Sequence, residues 1–110
     1  MQDEELKENA SLFIDCTIKY FKNNKVKNFG LQKLDDNIYL VTFEAYEFFY
    51  VYCEICLNSI FCYIKSGSNC ITLVNSKEVE IKDFNDLLRN LEIQIELRIP
   101  DKFLISRGWL

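Results

Sequence analysis

Cysteine is the residue type in this chain with the widest chemical repertoire. Cys53 and Cys56 have the Cys-x-x-Cys spacing of redox pairs and of half zinc sites. A zinc ion would also need Cys62 and Cys70, because the chain contains no histidine, and the resulting gaps of two, five and seven residues match no common zinc module. Residues three apart in a strand point to opposite faces, so Cys53 and Cys56 should diverge. We expect all five cysteines to be free structural thiols, with a metal or redox role as the alternative.

The absence of histidine also excludes nucleophilic catalysis through a Ser-His or Cys-His pair. A general acid or base would have to be a carboxylate, a lysine or a tyrosine. Glu44, Glu47 and Glu54 lie in the most apolar stretch, where one of them could serve. The solvent face of a strand is the commoner place for such residues. A lone carboxylate among tyrosines does not indicate an enzyme, so we predict no catalytic activity and no cofactor.

Nucleotide and nucleic-acid binding are disfavoured by two observations. The three glycines are isolated from one another, so the chain has no glycine-rich phosphate loop. Five lysines occur without an acid between Cys16 and Leu34 and could contact phosphates, but the net charge of the chain is −4. We expect these lysines to lie on a solvated helix end and loop, and we predict no nucleic-acid partner.

The segment 34–64 has the opposite charge pattern. It contains five acids and neither lysine nor arginine, and it holds most of the aromatic residues. Tyrosine offers a large, rigid contact area with a polar tip, and carboxylates attract and bond the lysines and arginines of a basic partner. The predicted partner-binding residues are Asp35, Asp36, Glu44, Glu47, Tyr50, Tyr52, Glu54 and Tyr63.

A sheet must position these side chains. The predicted antiparallel strands cover about 26–34, 38–45, 48–57, 60–66 and 70–75. Alternation along the third strand places Val51 and Cys53 on a core side and Tyr50, Tyr52 and Glu54 on the other. The fourth strand likewise separates Ile60, Cys62 and Ile64 from Phe61, Tyr63 and Lys65. The join between strands two and three, near Tyr46 and Glu47, has no Gly, Pro or Asn, so its boundary is poorly specified.

Helical patterns flank the predicted sheet on both sides. Residues 3–23 place apolar side chains on one helical face and are followed by asparagines as a stop signal. A second helix is predicted from residue 83, with Asp83 as its N-cap, although 91–99 also alternates as a sixth strand would. Pro100 should end this element and open a short helix that Gly108 caps. The expected fold is therefore a single α+β domain over residues 1–110, with an N-terminal helix, an antiparallel sheet of about five strands and a C-terminal helix.

Two features bear on where the chain acts and on whether its tyrosines are accessible. The first five residues are acidic rather than basic, and no apolar run approaches the roughly 18 residues of a membrane span. We therefore expect a cytoplasmic protein that does not enter membranes. Helices packed on both faces of the sheet would bury the tyrosine face, whereas helices packed on one face would leave it open.

In overall build, the chain resembles a bacterial immunity protein of the contact-dependent growth inhibition type. The features that carry the resemblance are the leading helix, the acidic aromatic strands with Asp35, Asp36, Glu44 and Glu54, and the tail 98–103. The family has no signature motif. The resemblance implies 1:1 binding to a cognate toxin domain, often a basic nuclease, whose active site the immunity protein covers. The alternative is a structural or adaptor module that self-associates through a sheet edge or the tyrosine face.

Overall fold

One helix precedes five antiparallel strands and two helices follow them in the computed structural model, which describes residues 2–77 and 84–110. The elements in chain order are α1 (Gln2–Tyr20), β1 (Val26–Asp35), β2 (Ile38–Ala45), β3 (Phe49–Ile55), β4 (Ser59–Ser66), β5 (Asn69–Lys77), α2 (Asn85–Glu96) and α3 (Asp101–Ser106). The strands lie in the sheet in sequence order, so each one pairs with the next. This arrangement confirms the predicted α+β class.

Short polar residues shape the chain where their sequence predicts turns. The backbone N–H of Asn37 donates to Asp35 Oδ1 at 2.7 Å, which fixes the turn between β1 and β2. Gly67 has a φ of 63° between β4 and β5, a left-handed conformation that costs glycine little. Asn23 and Asn24, with φ of 62° and 60°, follow α1 and help to redirect the chain into β1.

A single hydrophobic core lies between the sheet and the two longer helices. Alternate residues of β2, β3 and β4 are buried, and they share this core with Leu6 and Phe13 of α1 and with Leu91 of α2. The rings of Phe13 and Phe84 meet edge to face at 5.4 Å and link α1 to the start of α2. Tyr63 is buried but lies outside this core. Both helices therefore cover the same face of the sheet, and in the part of the chain that the structure describes neither packs on the opposite face.

The segment after residue 83, for which the sequence allows a helix or a sixth strand, forms a helix. Leu87, Leu88, Leu91 and Ile95 are buried on one side of α2, which continues to Glu96, so no sixth strand forms there. The predicted N-cap at position 83 lies outside the described residues. The first helix ends at Tyr20, three residues before its predicted end at residue 23.

The end of the chain follows its sequence signals. A short helix, α3, begins directly after Pro100, and Gly108 follows it with a φ of 75°. The backbone N–H of Trp109 donates to the carbonyl of Leu104 at 2.9 Å, which closes this helix end. Within residues 2–77 and 84–110, no helix is long and apolar enough to cross a bilayer.

Tyr46 and Glu47 form a tight turn between β2 and β3 that has no glycine. Their φ values are 58° and 53°, and the N–H of Phe48 donates to the carbonyl of Ala45 at 3.0 Å. Two successive left-handed residues define a type I′ turn, which usually contains Asn and Gly. Left-handed backbone costs a large side chain roughly 1 kcal/mol or more per residue. Other contacts of these two residues must therefore stabilise the turn.

Burial of the Tyr46 side chain supplies those contacts. Its ring is fully buried and lies edge to face with Phe21 at 6.3 Å and with Trp109 at 5.4 Å. Its hydroxyl donates to Glu96 Oε2 at 2.5 Å, at the end of α2. Burial, followed by this hydrogen bond, raises the pKa of Tyr46 well above its ordinary value, so the phenol stays protonated. Tyr46 thus ties the hairpin to both long helices and to the end of the chain.

Glu47 anchors the C-terminal segment from the same turn. Its carboxylate accepts from Lys27 Nζ at 2.9 Å and from Arg107 Nη1 at 2.6 Å. The ring of Phe48 meets that of Phe103, with centroids 5.1 Å apart, and adds an apolar contact beside these ion pairs. The turn therefore joins β1, the β2–β3 hairpin and α3.

We predict that Tyr46→Phe lowers the free energy of unfolding at pH 7 by about 1–2 kcal/mol. The change removes one charge-assisted hydrogen bond, while Glu96 remains partly accessible to water. Urea unfolding followed by far-UV circular dichroism measures the difference. Tyr50→Phe is the matched control, because Tyr50 is exposed, and it should change stability by less than about 0.5 kcal/mol. Equal losses in both variants would contradict the structural role of Tyr46.

Candidate functional site

The uncovered face of the sheet, here called the open face, presents side chains from β2, β3 and β4. Its members are Leu40, Thr42, Glu44, Tyr50, Tyr52, Glu54, Phe61, Tyr63 and Lys65. The register sets Glu44 beside Tyr50 and Tyr52 beside Tyr63. Directly paired residues on neighbouring strands point to the same side, so these side chains contact one another.

Three aromatic rings form a cluster at the centre of the open face. Tyr52 and Tyr63 are stacked, with centroids 5.5 Å apart and ring planes 10° apart. The centroid of the Phe61 ring lies 5.0 Å from that of Tyr63. Lys65 extends over the cluster, and its Nζ is 4.4 Å from the centroid of Tyr52. The cluster is therefore an ordered aromatic surface that already holds one cation.

A hydrogen bond fixes the centre of this cluster. Tyr63 is only 7% exposed, and its hydroxyl donates to Glu54 Oε2 at 3.0 Å. Burial, followed by the bond to Glu54, raises the pKa of Tyr63 to about 12. Its polar tip is thus satisfied within the face, and the ring is held in one orientation.

Most side chains of the open face are accessible to a partner. Tyr50 is 45% exposed, and Tyr52, Glu54 and Phe61 are half-buried. Glu44 is half-buried and accepts from Asn28 Nδ2 at 2.8 Å. A carboxylate has room for several hydrogen bonds, so both glutamates keep acceptor capacity for an incoming donor.

Five of the eight residues predicted from the sequence meet on the open face, namely Glu44, Tyr50, Tyr52, Glu54 and Tyr63. Asp35 and Asp36 lie at the β1–β2 turn, at one end of the sheet. Glu47 lies at the β2–β3 turn, at the other end, where its two ion pairs serve the fold. The acids of segment 34–64 therefore do not form one continuous patch.

Sequence reasoning left Phe61 and Lys65 out of the predicted binding set. Both alternate with Tyr63 along the fourth strand, so the sequence predicts the same face for them without indicating a role in binding. The pairing of Glu54 with Phe61 and of Tyr52 with Tyr63 brings them next to the predicted residues. Alternation along one strand does not specify the register between two strands. This register adds Phe61 and Lys65 to the site.

The cysteines are distributed across the fold. Cys53 and Cys62 are paired on neighbouring strands and buried on the core side, where burial raises the pKa of the Cys53 thiol. Cys70 is exposed on β5. In the described part of the chain, no three cysteines or carboxylates lie close enough together to share a metal ion.

Comparison with protein-family models, with curated proteins and with solved structures gave no match. The chemistry of the open face is therefore the guide to function. Its rings offer flat apolar contact and can bind cations, and its carboxylates accept hydrogen bonds from ammonium and guanidinium groups. These properties suit recognition of a basic protein surface.

We predict that Glu54→Gln lowers the pKa of Tyr63 from about 12 towards its ordinary value, because the carboxylate no longer favours the protonated phenol. An unfolded tyrosine titrates at about 10. Since the folded pKa is raised, the stabilisation from Tyr63 is fully present below about pH 10 and is lost as the pH rises to about 12. Titration of the labelled Tyr63 ring by NMR measures the pKa. Glu44→Gln is the control and should leave it unchanged; an unchanged pKa in Glu54→Gln would refute the coupling.

Proposed function

We propose that this chain is an immunity protein that binds a cognate bacterial toxin domain, a basic nuclease, and blocks it by covering its active site. The observation that carries the proposal is the open face, where stacked aromatic rings and the half-buried carboxylates of Glu44 and Glu54 lie together on the sheet. The complex would be 1:1 and would form in the cytoplasm. No reaction is required of the immunity protein.

Charge supports a basic partner. The net charge of −4 attracts a cationic protein from a distance, and the open face offers Glu44 and Glu54 at short range. A nuclease presents basic side chains to the phosphates of its substrate. Carboxylates placed against those side chains would occupy the positions that phosphates take, so binding and inhibition would be the same event.

Size indicates how much of the molecule a toxin would contact. Strands of seven or eight residues are about 25 Å long at roughly 3.3 Å per residue, and five strands span roughly 20 Å. One side of the whole sheet therefore covers about 500 Å², and the open face on β2, β3 and β4 covers less, so both are smaller than the roughly 800 Å² that each partner buries in a standard interface. A tight complex would extend past the face to an end of the sheet, and the turn with Asp35 and Asp36 would add exposed acids there.

We predict that the chain forms a 1:1 complex with the nuclease domain encoded beside its gene, and that association slows steeply as salt is raised. Glu54→Lys should weaken the complex about tenfold or more, because it places a cation against a basic partner. Stopped-flow kinetics and calorimetry measure both effects. Absence of a complex at low salt would refute the proposal.

A matched control separates the open face from net charge. Glu8→Lys makes the same change in charge on α1, which packs on the other face of the sheet. It should alter the association rate only slightly, since it acts at long range. If both variants weaken binding equally, the interface lies elsewhere. Sedimentation of the free chain tests the self-associating alternative, which requires a dimer or a larger assembly at high concentration.

A further inference from the structure

We infer that Lys65 occupies, in the free protein, a cation seat on Tyr52 that an arginine of the basic partner takes over in the complex. This inference rests on the proposed function for its partner, and it adds the side chain that is recognised and the group that it displaces. The seat consists of the Tyr52 ring, which is stacked on Tyr63. Lys65 acts as an internal competitor for that seat.

The position of Lys65 shows that the Tyr52 ring binds a cation. Its Nζ lies 4.4 Å from the ring centroid, well inside the roughly 6 Å range of a cation–π contact. No ion pair among residues 2–77 and 84–110 involves Lys65. Other lysines of the fold, such as Lys27 and Lys33, pair with carboxylates. The ring, rather than an acid, therefore holds the Lys65 ammonium.

The surroundings of the ring fit a guanidinium better than an ammonium. Tyr52 is stacked on Tyr63, and Tyr63 donates to Glu54, so a carboxylate lies beside the stack. An arginine can stack its planar group on a ring and direct N–H donors sideways to a carboxylate at the same time. A lysine ammonium is compact and strongly hydrated, and it does not stack. The seat is thus only partly satisfied by Lys65.

Displacing Lys65 is easy because its side chain is exposed. A cation–π contact at an exposed site changes an equilibrium constant by roughly two- to fivefold. The freed ammonium regains its water, so the partner's arginine competes against a weak contact. Until then, Lys65 keeps a positive charge over the aromatic cluster and disfavours a second copy of the same face there. A partner without a well-placed cation would also have to displace Lys65 with no replacement contact.

The first experiment follows Lys65 directly by NMR, using the full chain. The probe is a synthetic acetylated octapeptide of alternating arginine and serine, with the lysine–serine octapeptide for comparison. In the free protein, the Lys65 Hε resonances should be shifted upfield by the Tyr52 ring current. The arginine peptide should move them to the value of a solvated lysine at lower concentration than the lysine peptide. If the arginine peptide binds and these resonances stay unmoved, the inference is overturned.

The second experiment changes the competitor. Lys65→Met should tighten binding of the arginine peptide roughly two- to fivefold, since the seat is vacant. Lys65→Arg should weaken it, because the internal cation is then the better one. Lys7→Met, on α1, removes the same charge far from the seat. If Lys65→Met and Lys7→Met tighten binding equally, net charge explains the effect and the seat is refuted.

Failure of this inference can be told apart from failure of the proposed function. A toxin complex that forms while the Lys65 resonances keep their upfield shift would overturn the seat and leave the immunity function standing. Displacement of Lys65 by the arginine peptide, with no complex formed by the neighbouring toxin, would support the seat and overturn the immunity function.

Discussion

Burial of only one face of the sheet is the constraint on which the other properties of this molecule depend. Alternate residues of β2, β3 and β4 enter the core, and α1 and α2 both pack against them. Once both helices lie on that side, the side chains between the buried positions must tolerate water. Tyrosine, threonine and glutamate meet this requirement, because each has a polar group that water or a neighbour can satisfy. The aromatic open face is therefore a direct consequence of how the core is built.

The turn at Tyr46 and Glu47 shows how tertiary contacts stabilise an unfavourable backbone. The left-handed φ values at these residues carry a cost that the buried ring, the bond to Glu96 and the ion pairs of Glu47 offset. The ion pairs engage the Glu47 carboxylate, which the sequence places among the predicted binding residues. An acid in an acidic segment is therefore available to a partner only if the fold does not already pair it.

Local pattern was enough to predict the strands and their faces, because alternation along a strand decides which side chains are buried. The second strand has its predicted bounds, and Tyr52 and Glu54 lie on the face expected for them. The pairing of Glu47 with Arg107 spans sixty positions of sequence and has no local signal. The side of the sheet on which each helix packs is equally non-local. These long-range contacts decide which of the predicted residues are exposed to solvent. The sequence therefore predicts an acidic, aromatic site but only some of the residues that form it.

A flat, rigid face is better suited to binding than to catalysis. Catalysis usually needs a pocket that excludes water, whereas on the open face Tyr50 is 45% exposed and the rings lie on regular strands. Binding benefits from this rigidity, because side chains that are already ordered lose little conformational entropy in a complex. The bond from Tyr63 to Glu54 serves both ends: it satisfies a buried phenol in the free protein and fixes the aromatic cluster that a partner would meet. If the proposed function holds, stability and recognition depend on the same contact, and a substitution there should be judged by its effect on both.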